Sequence, residues 1–287
     1  MNWLWKAKPI AASSDCVSIA DFCFDGYDVT QVLFSLQYRV SDALSDFKTP
    51  VTRVEAMTKK KGGRATKGSQ LCLQNYVNQE PSQLADLIIS QSPSMAAFAP
   101  QRLHWVSPLQ DENYYEYRDD FLQALQLEEN AKQWREFWPA GGPQWDALAI
   151  AEHDPESLGV VLVEAKGHPG EACASTDAKD KGLAKIQKSL SRVIGFCEAD
   201  TLDVKKWTHG YYQVANRIAA LYFLNEVLGL EAWLVLVNFV NDTSHKPTKI
   251  QQWRESQVKV MQHLGVHSDS PLLHRVSVLC IEPIPSA

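Results

Sequence analysis

The chain has 287 residues, 45% of them hydrophobic and 22% charged, with a formal net charge of −6 at pH 7. This composition fits one large soluble domain or two small ones, and the acidic balance excludes a protein that coats nucleic acid by bulk electrostatics. The longest apolar runs, such as 232–240, fall well short of a bilayer span, and the opening residues carry no apolar stretch leading to a small-residue cleavage site, so no membrane partner and a cytoplasmic location are expected.

Residues 1–100 carry no chemical signature and are expected to form an N-terminal extension or cap. Val29 to Val40 mixes apolar and polar residues without a clean period, and the Lys/Gly run at 59–68 predicts a loop. Leu71 to Ser90 predicts a helix interrupted at Pro81 and restarted with proline near its first turn. Residues 101–287 are expected to form the main domain. Arg102 to Ser107 alternates and predicts a strand ended by Pro108. Tyr114 to Trp138 has helical texture, with Phe121, Leu122, Leu125, Leu127, Ala131, Trp134 and Phe137 mostly on one face. Pro139, Gly141 and Gly142 end it.

Two apolar runs follow, 144–151 and 159–166, joined by the turn-rich link at 153–157, which is of hairpin length. Their near-continuous hydrophobicity predicts a sheet covered on both faces. Helices are predicted over 180–198 and 208–228, a buried strand over 231–240, and a last strand over 275–281. Thr248 and Gln251 have the spacing of a capping box that opens a helix running to about Leu264. The order predicts an α/β fold with a central mixed sheet flanked by helices.

The cysteines, at 16, 23, 72, 173, 197 and 280, show no CxxC or Cys/His cluster, so free thiols and no zinc spacing are expected. The chemical signal lies elsewhere. Asp146 opens one apolar run, and Glu164-Ala165-Lys166 closes the next. In a strand, residues i and i+2 point to the same face, so Glu164 and Lys166 project together. Ala165 offers a main-chain carbonyl and a side chain too small to block the site. Charges that break a buried strand are costly unless paired or bound to a metal. The plain alternative is an ion pair at the strand end.

The pattern Asp146…Glu164-Ala165-Lys166 resembles the PD-(D/E)xK nuclease superfamily, which includes many restriction enzymes, the λ exonuclease and RecB-type nuclease domains. Trp145 stands where the motif has proline; the nearest proline is Pro143. The text around it, from Phe137 to Asp146 and at 163–166, 212–217 and 233–240, is also similar to a little-characterised bacterial group within that superfamily. The resemblance covers roughly residues 100 to 282. It implies a restriction-endonuclease-like αβββαβ core, with 102–107 as first strand, and a nuclease dependent on Mg²⁺ (or Mn²⁺). Its expected substrate is nucleic acid, DNA first. Asp146, Glu164 and the Ala165 carbonyl would hold the metal, and Lys166 would position a water or, if desolvation lowers its pKa, act as base. Gln213 stands where RecB-like relatives place a glutamine facing the metal, and Arg217, one turn on, would reach a phosphate.

Other candidates are weaker. Glu128 and Glu136 lie on the predicted helix before Asp146, where an extra metal acid sometimes occurs. His168 and Glu171 follow the motif strand. Lys59 to Lys67 and the series Lys181, Lys185, Lys188, Arg192 are candidate phosphate-tracking surfaces, with a loop and a solvated helix face as their plain readings. Two other functions stay open: a nuclease fold kept as a non-catalytic binding module, and hydrolysis of a different phosphoester.

Overall fold

The computed structural model describes residues 62–154 and 157–285. The expectations for 29–40, for Lys59, Lys60 and Lys61, and for Cys16 and Cys23 fall outside the described residues. The chain is α/β, built on an open five-stranded mixed sheet. Its elements are α1 (Gly68–Gln79), α2 (Pro81–Ser90), α3 (Pro93–Phe98), β1 (Arg102–Ser107), α4 (Phe121–Ala124), α5 (Ala131–Phe137), β2 (Ala147–Asp154) and β3 (Ser157–Lys166), followed by α6 (Asp180–Phe196), α7 (Val204–Thr208), α8 (Tyr212–Tyr222), β4 (Glu231–Phe239), α9 (Ile250–Leu264) and β5 (Val276–Ile281). The strands lie side by side in chain order. β1, β2 and β3 pair antiparallel, and β4 and β5 continue parallel to β3.

Both faces of the sheet are covered, as the unbroken apolar strands require. On β3, Val161, Val163 and Ala165 pack with Leu73, Val77, Leu84 and Ile88 of α1 and α2. Val160 and Leu162 pack with Leu190, Val193, Ile218 and Leu221 of α6 and α8. Gly159 has no side chain because Trp233 of β4 lies across it: an added Cβ would stand 2.4 Å from the indole.

The first three helices, which fall within the expected N-terminal extension or cap, share a core with the sheet. The reason is amphipathicity: Leu84 and Ile88, one turn apart, are fully buried against the strands. Two readings need correction. The single helix expected from Tyr114 to Trp138 is broken into α4, a 3₁₀ turn at Glu128–Asn130 and α5. Gln126 takes a left-handed φ of 61°, which turns the chain so that both Leu125 and Leu127 reach the core. The helix expected over 208–228 occurs as α8 with a π turn over Phe223–Val227, and Gly210 at φ 81° separates it from α7, which ends at Thr208. The cap of α9 also lies one residue on: the Lys249 N–H donates to the Gln252 side chain at 2.9 Å, while the Thr248 hydroxyl donates to the Gly167 carbonyl.

Among the described residues no helix is long and apolar enough to cross a membrane. No disulfide joins the described cysteines. The basic face of α6 is partly anchored inward. Lys185 donates to the Arg135 carbonyl at 2.7 Å, and the Arg192 guanidinium lies 5.7 Å from the Phe137 ring centroid.

Candidate active site

The site follows from strand parity. Ala147 of β2 faces Val163 of β3, so Asp146, one residue earlier, comes opposite Glu164. Leu148 and Leu162 lie on the α6/α8 face of the sheet. Asp146, Glu164 and Lys166, at even spacing from them, share that face. The Asp146 carboxylate accepts the Ala165 N–H at 2.7 Å, which fastens the start of β2 to the end of β3.

Glu164 is 3% exposed, and both of its oxygens are engaged. Oε1 pairs with the Lys166 ammonium. Oε2 accepts from Arg217 Nε at 2.7 Å and lies 2.6 Å from Nη2. Arg217, 4% exposed, is therefore held inside the protein rather than presented to solvent, unlike the phosphate contact expected of it. Its Nη2 also donates to the Gln144 carbonyl and its Nη1 to Asn216 Oδ1, each at 2.6 Å. The guanidinium sits 5.0 Å from the Trp145 ring centroid, at cation–π distance. One side chain of α8 thus grips the segment leading into Asp146 and the carboxylate of Glu164 together.

The two acids are unequal. Burial and the neighbouring Glu164 charge, with a smaller push from Glu116, raise the Asp146 carboxyl to about 8 against the opposing pull of Lys166. Burial alone would raise Glu164 too, but the Arg217 and Lys166 charges outweigh it and hold that carboxyl below its ordinary value. Desolvation would lower Lys166, yet Glu164 and Asp146 outweigh it and raise the ammonium above its usual pKa. That direction is opposite to the lowered pKa that a lysine base requires. When all four groups ionise, Asp146 and Glu164 balance Lys166 and Arg217.

A cavity of about 30 Å³ opens beside these groups. Its polar lining is Glu164, Lys166, Gln213, Asn238, Ser256 and Gln257. Of these lining residues, Gln213 has its Oε1 and Gln257 its Nε2 buried without a hydrogen-bond partner. Ala172, Val214, Leu236, Trp253 and Val260 complete a mixed lining; a space of that size holds about one water, and a buried amide atom left unpaired is costly. A larger cleft of about 300 Å³ lies between α1, the segment after β4 and the residues after β5, and none of the four charged groups lines it.

The structure brings Asp146, Glu164, Ala165 and Lys166 together, and Gln213 lines the same small cavity as Glu164 and Lys166. Glu128 and Glu136 are exposed. The acid that acts on Asp146 is Glu116 instead, whose Oε2 accepts from Gln144 at 2.7 Å. Glu116 lies among tyrosines at the start of the stretch read as a helix, and no motif spacing in the sequence marks it. Asn238 was findable: it breaks the apolar run of β4 as Glu164 breaks β3, and it pairs in register with Lys166. Gln257 lies on a helix rich in polar residues and carries no such mark. His168 and Glu171 join a different cluster, beside the start of α1. Compared with protein-family models, curated proteins and solved structures, the chain finds no match in any of the three.

Proposed function

We propose that the chain is a metal-dependent phosphodiesterase acting on nucleic acid, DNA first, through a site of the PD-(D/E)xK type. The observation that carries this reading is the convergence of Asp146, Glu164 and Lys166 on one sheet face, with Glu164 and Lys166 lining a cavity that Gln213, whose amide oxygen has no partner, also lines. The hairpin β2–β3, with β4 parallel to β3 and α8 packed across them, supports a restriction-endonuclease-like core for residues 101–287.

The donor set fits a hard divalent cation. Two carboxylates, a main-chain carbonyl and an amide oxygen are the all-oxygen ligands that Mg²⁺ or Mn²⁺ prefers. Asp146, Glu164 and the Ala165 carbonyl would hold it; once bound, such a cation polarises a phosphoryl oxygen and acidifies a water. The protein's own residues do the rest. Lys166, whose charged form Glu164 and Asp146 favour, would offset the negative charge that develops on the phosphate. Gln213 orients a water through its free oxygen. Arg217 acts behind the site: its two contacts fix the plane of the Glu164 carboxylate, a positioning role in place of the phosphate contact.

The test is incubation of the full chain with linear, circular and single-stranded DNA, and with RNA, in Mg²⁺ or Mn²⁺. Asp146→Asn is the control of choice, because it removes an acid that burial already disfavours and strands no cation. Metal-dependent cleavage lost in that variant is the expected result; no cleavage of any of these by the wild type overturns the enzyme reading. A non-catalytic binding module is the second reading, and the internal pairing of both Glu164 oxygens favours it. Nucleic-acid binding without cleavage by the wild type would select it.

A further inference from the structure

We propose that His168, Glu171 and His245 form a second metal site, suited to Zn²⁺ or a similar borderline transition-metal ion. One ligand atom from each lies within 4.8 Å of the other two. The three come from separate places: His168 just beyond β3, Glu171 in the 3₁₀ turn Pro169–Ala172, and His245 in the segment between β4 and α9. His168 Nε2 and Glu171 Oε1 are 3.3 Å apart. Tetrahedral zinc with bonds of about 2.0–2.2 Å sets its ligand atoms roughly 3.4 Å apart, so this pair already has the required edge.

The surroundings orient these side chains as ligands. Glu171 gives its other oxygen, Oε2, to the Gly167 N–H at 3.0 Å and to the Ser69 hydroxyl at 3.4 Å, which leaves Oε1 turned toward His168. Hydrogen bonding of the non-ligating oxygen is the usual support of a metal-bound carboxylate. The His168 ring lies so close over Gly170 that an added Cβ would stand 3.1 Å from two of its atoms. The His245 ring rests against Gly68, and its centroid is 5.5 Å from that of His168. The adjacent Ser244 accepts the Gly68 N–H at 2.9 Å, holding the His245 segment to α1.

Two imidazoles and one carboxylate select zinc over magnesium, which takes oxygen ligands and keeps its waters. The His168 and Glu171 side chains are 19% and 26% exposed, so an ion has access and a fourth position stays open to water. The site would tie the turn after β3, the segment after β4 and the start of α1 to one another. It is chemically distinct from the all-oxygen set at Asp146 and Glu164, and neither proposal depends on the other.

The experiment is calorimetric titration of the full chain with Zn²⁺ in excess Mg²⁺, near neutral pH, with Co²⁺ absorption in parallel as a reporter of four-coordinate geometry. The wild type should bind one more equivalent of Zn²⁺ than His168→Ala or His245→Ala, and the Co²⁺ bands should vanish in both. Asp146→Asn and Cys173→Ser should keep that equivalent. Glu171→Gln, which preserves shape, should weaken it by at least about 10-fold, since even the outer partners of a metal site are worth 10–100-fold. Thermal midpoints in chelator establish that each variant is folded. A wild type that binds no Zn²⁺ overturns the proposal, as do folded histidine variants or a Glu171→Gln variant that bind with wild-type stoichiometry and affinity.

Discussion

Arg217→Met isolates the clamp behind the site. Methionine keeps much of the stem's packing against Trp145 but removes the charge and every guanidinium contact. Glu164 would then stay 3% exposed with Lys166 as its single cationic partner. Removing one member of a buried ion pair costs about 3–5 kcal/mol, because the other is left enclosed and under-compensated. For a domain of this size each kcal/mol lowers the thermal midpoint by about 2–4 °C, so a drop of about 6–20 °C is expected. Glu164→Gln should cost less, since Arg217 keeps the Gln144 carbonyl and Asn216 as acceptors. The double variant should lose less than the sum of the two, because neither charge is then stranded. Urea unfolding of the four proteins, followed by tryptophan fluorescence, gives the cycle directly. Arg217→Met within about 1 kcal/mol of wild type, or strictly additive losses, would refute the clamp and return Arg217 to the candidates for phosphate contact.

Two further outcomes follow from the same geometry. The folded pKa of Asp146 is raised, so its contribution to stability is complete below the unfolded carboxyl value near 3.8 and is lost as pH rises through about 8. Urea midpoints in chelator should therefore fall from pH 5 to pH 9, and Asp146→Asn should flatten that fall; an unchanged slope in the variant would place the titration elsewhere. Gln213→Ala should lower kcat with little change in KM and less than about 1 kcal/mol in stability, because its amide oxygen has no partner to lose. Wild-type turnover in that variant would remove Gln213 from the site.

The sheet was legible because its strands are unmistakable. All five predicted strands occur within a few residues of their expected ends, and the two-sided burial of β3 follows from its unbroken Val/Leu run. The helices before the motif were less legible. Between Tyr114 and Trp138 the apolar spacing is helical, but no Gly or Pro marks the turn at Gln126, which adopts its left-handed conformation without either. The three charged residues of the motif were readable as breaks in apolar text. Arg217 was readable as present but not as employed: sequence spacing placed it one turn after Gln213 and could not show that its reach ends on Glu164. Glu116 and Gln257 act through tertiary proximity alone.

The unbroken apolar text of β3 has a cost in specificity. Where a strand is hydrophobic on one side only, slipping by a residue turns its greasy face to water, and that penalty holds the pairing in place. Val160, Val161, Leu162 and Val163 are buried on both sides, so a slip would exchange one set of aliphatic side chains for another. The charged pair supplies the missing frame. Moved by one residue, Glu164 and Lys166 would face Leu73 and Val77 of α1 without Arg217 to receive them, and Ala165 would sit in their place. The residues that carry the proposed chemistry therefore also number the strand, so that a single-residue insertion or deletion within the β2–β3 hairpin would be nearly silent in hydrophobicity and decisive in alignment.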